Sequence, residues 1–302
     1  MTEPKGQNEQ AWEDLRADGG LPEAQGDLFG IHRVVDVPPD DAVTIVAYGG
    51  GVNSTALLCG WIERGLHPVD LIVFSDTGGE RPQTYAYVTQ FSDWLIARGY
   101  PAITVVRAVD AAGVVKTLEQ DCAQYERLPS LAYGFKGCSG KFKTSPQMKF
   151  LNHWEPARAA FDRGERVVKL IGYDADESHR ADGGDRQDVK YWSRYPLIEW
   201  GWGRKECVQA IERAGLSVPA KSACFFCPAN TVDEIRTLQR EHPDLLRRAL
   251  AMEARGVMKT TTVQGLGRRF SWRDLIHGKP MPLFLETEIA CECYDGHDDE
   301  EV

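Results

Sequence analysis

A short apolar strand that runs directly into three glycines and then into a helix leaves a chain few folds to adopt. Residues 43–48, VTIVAY, are β-branched and apolar, and Gly49, Gly50 and Gly51 end the run. The next segment, STALLCGWIERG (54–65), carries Leu57, Leu58, Trp61 and Ile62 on one helical face and stops at Gly65. Glycines take positive φ and let backbone approach a ligand closely. The first N–H groups of a helix, at the positive end of its dipole, favour an anion. Ser54 and Thr55 add hydroxyl donors, so the stretch from Gly49 to Thr55 is predicted to bind phosphate. No Gly-Lys-Ser/Thr follows at the required spacing, which excludes a Walker A loop. The alternative is a plain strand-to-helix turn with Asn53 or Ser54 as N-cap.

The strand–helix alternation continues. DLIVFS (70–75) and AITVV (102–106) read as strands around a helix from Pro82 to about residue 98, and VVKLIGY (167–173) reads as a further strand. Apolar strands alternating with helices imply an α/β fold, an open, mostly parallel sheet with helices on both faces. Beyond residue 195 the strands fade: ECVQAIERAG (206–215) is helical, and 231–256 is two helices broken at His242-Pro243. We expect a polar, disordered or extended arm over 1–40, a nucleotide-binding domain over 41–218, and a small Cys-containing helical C-terminal region over 219–302 ending in an acidic tail. The chain's 302 residues, 42% hydrophobic, suffice for such a domain and appendage.

Charged residues make up 26% and the formal net charge is -10, which excludes an evenly basic coat for nucleic acid but not a local basic groove. One candidate is KGCSGKFKTSPQMKF (136–150), where Lys136, Lys141, Lys143 and Lys149 surround Cys138. Lysines there would lower a thiol's pKa and attract phosphate or sulfate, unless the run is only a solvated face. No apolar run is long enough to span a membrane, and the first residues lack the apolar stretch of a secretory signal, so a cytoplasmic protein is expected.

Two further loops follow predicted strands. Asp76-Thr77-Gly78, after the second, would lie beside the glycine loop, because ligands of open α/β sheets bind beyond the carboxyl ends of strands. The alternative is a turn with Pro82 at helix N1. GYDADESHRADGGDR (172–186) is Asp-rich, but His179 at the sixth position excludes an EF-hand. Arg180 there offers a bidentate phosphate contact; otherwise the loop is an exposed polar one. Eight cysteines are many for a reducing compartment, and Cys224-x-x-Cys227 permits zinc, an iron–sulfur cluster or a redox dithiol.

Taken in order, these segments resemble the phosphoadenosine-phosphosulfate (PAPS) reductase family of PP-loop enzymes and its sulfur-transferring relatives, from about Val43 to Pro228. Gly49–Ser54 occupies the six places of the family's Ser-Gly-Gly-x-Asp-Ser loop, with Gly49 for Ser and Asn53 for Asp. The second change removes a carboxylate from metal-assisted ATP cleavage and leaves phosphate binding, which needs donors, intact. Asp76, Thr77, Gly78, Pro82, Thr84 and Tyr85 match the family's Asp-Thr-Gly … Pro-Glu-Thr-Tyr segment, with Gln83 for Glu; Cys138, Lys143 and Pro146 match Cys-x-x-x-x-Lys-x-x-Pro. Gly172, Glu177, Ser178 and Arg180 match a Gly-x-x-x-x-Glu-Ser-x-Arg stretch, and YPLIEWGW (195–202) is read as packing with an aromatic face over the site.

The resemblance implies catalytic roles for Ser54, Asp76 and Lys143. It implies nucleotide contacts from Gly49, Gly50, Gly51, Asn53, Ser54, Thr55, Asp76, Thr77, Gly78, Gly172, Glu177 and Arg180. The implied cofactors are ATP (or PAPS) with magnesium and a 4Fe–4S cluster on Cys138, Cys224 and Cys227, with Cys293, Cys291 or Cys122 as a fourth ligand or, failing these, an open iron as in some tRNA-thiolating PP-loop enzymes. Structural zinc on Cys224, Cys227, Cys291 and Cys293 is the alternative. The implied activity is ATP cleavage to AMP and pyrophosphate with adenylation of an acceptor, a nucleic acid or another molecule, which then receives sulfur, and a sulfur-donor protein is an implied partner. A thiol-dependent sulfonucleotide reductase and a non-catalytic nucleotide-binding module are the alternatives.

Overall fold

The computed structural model describes residues 38–39, 41–181, 188–258 and 262–279. Five strands, β1 (Thr44–Tyr48), β2 (Leu71–Ser75), β3 (Ile103–Val106), β4 (Val167–Ile171) and β5 (Tyr191–Arg194), form one sheet in the order β3-β2-β1-β4-β5. Every pairing is parallel. The expected α/β architecture is therefore present, with one strand, β5, that the sequence pattern did not announce. β5 is four residues, YWSR, on the sheet edge and buried mainly at Tyr191, so it carries no apolar run.

Because side chains alternate across a strand, the sheet feeds two cores. Val46, Tyr48, Ile72, Phe74, Val168 and Leu170 pack on one face against α1 (Val52–Glu63), α2 (Pro82–Ile96) and α7 (Arg204–Arg213). Ile45, Leu71, Val73, Val106 and Val167 pack on the other face with Leu151 of α4 (Ser145–Leu151) and Ala157 and Ala160 of α5 (Glu155–Asp162). Trp200 and Trp202 do not roof the loops at the strand ends. They pack against the C-terminal half of α1, where a Cβ on Gly60 would stand 2.6 Å from Trp202. Tyr195, just before α6 (Pro196–Glu199), reaches the β4 turn by stacking on Tyr173 with ring centroids 5.5 Å apart, and the Trp202 carbonyl accepts from Ala175 N of that turn at 2.8 Å.

A third core lies outside the sheet. It joins α3 (Leu118–Tyr125) and Phe142 to the CxxC segment, α8 (Val232–Glu241), α9 (Pro243–Val257) and α10 (Trp272–Ile276). The C-terminal region thus shares its core with residues 118–142. Arg248 on α9 adds a bond to Glu119 on α3 at 2.9 Å. Between α3 and α4 the chain forms a helical turn (Gly137–Ser139) and then a π-helical turn (Gly140–Thr144) that buries Phe142, Lys143 and Thr144 in succession. Single π turns inside α-helical segments concentrate at functional sites.

Glu253 organises the end of this core. It is 2% exposed, and its carboxylate accepts from Leu266 N (2.9 Å), Trp272 N (2.8 Å), Arg273 N (3.0 Å) and Ser271 Oγ (2.8 Å). Removing it strands three backbone donors in a dry environment. Glu253→Ala is expected to lose about 2–4 kcal/mol of stability, and Glu253→Gln, which keeps one acceptor oxygen, roughly half that. Urea unfolding measures both.

Candidate active site

The strand order reverses between β1 and β4, and the crevice outside their carboxyl ends is where open α/β sheets bind ligands. The predicted glycine loop occupies that place. Gly50 has φ +74, and a Cβ there would stand 3.1 Å from Phe74. Gly51 is the N-cap of α1, and no side chain caps that helix, which leaves its first N–H groups for a ligand or water. Thr55 Oγ1 turns back to Gly51 O at 2.8 Å and meets Tyr48 OH at 3.2 Å; Ser54 Oγ makes a longer bond to the same carbonyl, 3.3 Å. Across the crevice, Gly172 lets the turn after β4 touch α1: a Cβ there would lie 2.9 Å from both Cα and N of Ser54.

The Asp76–Gly78 turn follows β2 as expected, and its geometry gives Asp76 a full set of partners. Oδ1 accepts from Gly78 N and from Tyr85 OH, each at 2.7 Å, and Oδ2 accepts from Arg107 Nε at 2.8 Å. The Arg107 Nη2 atom also lies 2.8 Å from Oδ2. With 1% of its side chain exposed, Asp76 holds the shape of the turn. Tyr85, beside that carboxylate, is pushed well above the ordinary phenol range by burial and then by Asp76. Gly78, at φ +74, has Thr117 pressed against it; a Cβ would meet Thr117 Cγ2 at 2.3 Å.

Past this turn the chain meets the CxxC segment. Glu80 pairs with Cys224 in an antiparallel bridge, Phe225 N donates to Gly79 O at 2.7 Å, and Thr77 Oγ1 lies 3.0 Å from Cys224 Sγ. Ser222 donates to Glu80 Oε2 at 3.2 Å and stands over the glycine loop, 3.4 Å from where a Cβ of Gly50 would be. Asn230, with Arg81 on its oxygen at 3.0 Å, donates to the carbonyls of Cys224 and Phe225 and so fixes the turn between the two cysteines.

Lys143 enters from the π turn and lies 3.5 Å from Glu80 Oε1, both side chains buried. Its backbone carbonyl accepts from Ser75 Oγ at 2.8 Å, which docks the turn on the end of β2. Burial works against the ammonium, but Glu80, then Cys224, Cys227 and Cys138, outweigh it and hold Lys143 above its usual range. Cys224 and Cys227 are both 8% exposed and share one apolar cluster with the half-buried Cys138. Burial pushes the Cys224 thiol far up and Cys227 up to about 11, with Cys138 near enough to contribute to the latter. Cys122, under the same cluster, is pushed up to about 12, chiefly by burial. Among the described residues no group of three or more His, Cys, Asp or Glu side chains is arranged to hold a metal ion. The donor set still suits iron or zinc in kind: three thiols gathered in one apolar cluster beside a buried cation. Cys291 and Cys293 lie outside the described residues.

Glu177 and Arg180 sit on the 3-10 segment Ala175–Arg180 after β4, bonded to each other at 2.9 Å, and Arg180 lies over the Tyr173 ring at 4.1 Å. Asn53 reaches this segment through Asp174 (3.0 Å) and Glu177 (3.1 Å). The structure therefore brings the glycine loop, the Asp76–Gly78 turn, the Gly172–Arg180 turn and Lys143 to one end of the sheet, with three of the cysteines beside them. Sequence reasoning missed Glu80, Arg107, Asp174, Arg204 and Ser222. Only Glu80 left a signal, as the one acid beside a predicted turn that a buried Lys143 would need.

No family model matches the chain, and no curated protein matches it. Among solved structures it is similar to a phosphoadenylyl-sulfate (PAPS) reductase from Candida auris in a phosphate complex, at 14% identity and a TM-score of 0.40, over 64% of this chain and 90% of that one. It is also similar to the U34-tRNA thiolase NcsA from Methanococcus maripaludis with its 4Fe–4S cluster, at 14% identity and a TM-score of 0.38, over 73% of this chain and 74% of that one. These are proteins of the two kinds that the sequence resemblance names.

Proposed function

We propose that this chain is an adenine-nucleotide enzyme of sulfur transfer. ATP, its phosphates on Gly49–Thr55, would adenylate an oxygen of an acceptor and release pyrophosphate; a sulfur nucleophile would then displace AMP. The observation that supports this reading best is convergence: the turns after β1, β2 and β4 meet at the strand-order reversal, and Ser222 brings the thiol-bearing segment against the glycine loop. Magnesium would arrive on the nucleotide phosphates, the manner in which this ion is usually held. Cys138, Cys224 and Cys227 would hold a 4Fe–4S cluster, whose role would be to bind and present sulfur. Lys143, buried beside Glu80, would offset the cluster's negative charge.

Cations and aromatic rings beside β3 support a nucleic-acid acceptor. A cavity of about 1100 Å³ there is lined by Lys149, by Arg107, which is bonded to Asp76, and by Lys116 and Lys141, which are bonded to Asp121, together with Phe150, Trp154 and the acids Asp110 and Glu155. Cations for phosphates and aromatic faces for bases are what a single strand requires. The reductase alternative needs an accessible thiolate as nucleophile; burial raises the thiols of Cys59, Cys122 and Cys207, and the tail candidates Cys291 and Cys293, flanked in sequence by Glu286, Glu288, Glu292 and Asp295, lie outside the described residues.

Three outcomes are expected. Gly50→Val, strained at φ +74 and pressed on Phe74, should weaken ATP binding more than tenfold by calorimetry, a positive φ alone costing about 1–2 kcal/mol; Ser54→Ala should weaken it less, and unchanged affinity in both removes the loop from the site. Protein purified without oxygen should be brown with iron and acid-labile sulfide, and Cys224→Ser or Cys227→Ser should bleach it. A colourless protein with one zinc, lost on replacing Cys291 and Cys293, would establish the zinc alternative. Pyrophosphate should appear from ATP only with acceptor present, whereas robust thioredoxin-dependent sulfite formation from PAPS would replace this reading with the reductase.

A further inference from the structure

The glycine loop ends in an uncharged side chain held between two carboxylates. Asn53 Nδ2 donates to Asp174 Oδ2 at 3.0 Å and to Glu177 Oε2 at 3.1 Å, and Asn53 Oδ1 accepts from Arg204 Nη1 at 3.3 Å. The three partners belong to two other parts of the chain, the turn after β4 and the start of α7. Each is anchored in turn. Asp174 is 3% exposed and accepts from Glu177 N at 3.1 Å; Glu177 is bonded to Arg180; Arg204 N donates to Asp176 at 3.1 Å. A primary amide of this length offers two N–H donors and one acceptor, which is what two carboxylates and a guanidinium demand. An aspartate of the same shape would set three carboxylates around one point.

A second observation concerns the same two segments. At Gly172 the turn after β4 already touches the backbone of Ser54, with no room for a Cβ. The Asn53 bonds therefore lie next to a contact at its van der Waals limit, and together they fix how far the start of α1 stands from the β4 turn.

We infer that Asp174, acting with Glu177 through the Asn53 amide, is the positioning residue of the nucleotide loop, and that position 53 is kept uncharged by this pair. The inference rests on the reading of Gly49–Thr55 as a nucleotide loop. The charged and titratable groups facing Asn53 are Asp174, Asp176, Glu177 and Arg180 from the β4 turn, and Arg204, Glu206 and the buried Cys207 from α7. Burial, then Glu177, already raises the Asp174 carboxyl above its ordinary value, so a third carboxylate meets a site short of compensation.

The test uses the full chain with Asn53→Asp, Asp174→Asn and the exchange N53D/D174N. Asn53→Asp should bind ATP roughly tenfold more weakly at pH 8 and melt several degrees lower, and both losses should shrink as the pH is lowered and a raised carboxyl takes a proton. The exchange, which restores an amide–carboxylate contact, should recover most of both. Asp174→Asn, which adds no charge and keeps an oxygen for Glu177 N, guards against an Asn53→Asp chain that does not fold. It should bind ATP several-fold more weakly with little change in melting. Asn53→Asp matching wild type at pH 8, or an exchange no better than Asn53→Asp alone, overturns the inference. Wild type without ATP affinity would sink the nucleotide reading and the positioning role with it, whereas rescue of melting by the exchange would still report the tie.

Discussion

Lys143 and Glu80 form a buried ion pair where three segments with little else in common meet. Lys143 comes from a π turn, Glu80 from the loop between β2 and α2, and the thiols around them from a segment some eighty residues further on in the chain. Two desolvated charges are tolerated only where each has the other and further bonds besides. Ser222 supplies one such bond to Glu80, and Ser75, bonded to the Lys143 backbone carbonyl, docks the turn that carries the lysine. The pair obliges the π turn and the Asp76–Glu80 loop to keep one arrangement, because either leaving would strand an unpaired charge, and the CxxC segment is held to the same place by Ser222. The glycine loop then takes its wall from the same assembly, since Ser222 is both the partner of Glu80 and the neighbour of Gly50.

What was legible in the sequence is what depends on neighbours in the sequence. β1, β2 and β4 are buried along their whole length and read as apolar runs; the helices around 54–65, 82–98, 206–215 and 231–256 follow from their apolar faces and from Gly65 and Pro243. The glycine and Asp-Thr-Gly turns were visible because special backbone needs special residues. β5 was not, since four residues at a sheet edge, half of them polar, carry no period. The partners of the predicted side chains were invisible for another reason. Arg107 lies 31 positions from Asp76, Asp174 lies 121 from Asn53, and Ser222 lies 142 from Glu80. Such contacts follow only from the strand order and from a C-terminal region that folds back on the sheet.

The third core shows the same dependence at larger scale. A division near residue 219 is natural to the eye, because strands stop and helices begin, yet Leu118, Cys122, Leu128 and Phe142 share one apolar cluster with Ile235, Leu246, Met252 and Trp272. Residues 118–142 carry enough apolar side chains to need cover but are too short to enclose a core of their own. Their burial becomes favourable only when α8 and α9 arrive, so the connection between β3 and β4 and the C-terminal helices gain their order together.

The π turn at Gly140–Thr144 has a consequence for how this segment can vary in length. An α-helix advances by about 100° per residue, so the extra residue of a π turn is a phase shift in the side chains that follow. Here the segment buries Phe142, Lys143 and Thr144 in succession. Losing one residue between Lys143 and the helix that follows would turn the lysine by about 100° relative to that helix while leaving its identity untouched. In this stretch spacing carries as much information as composition, and a chain that keeps the lysine but changes the count by one would have kept the letter and lost the charge beside the thiols.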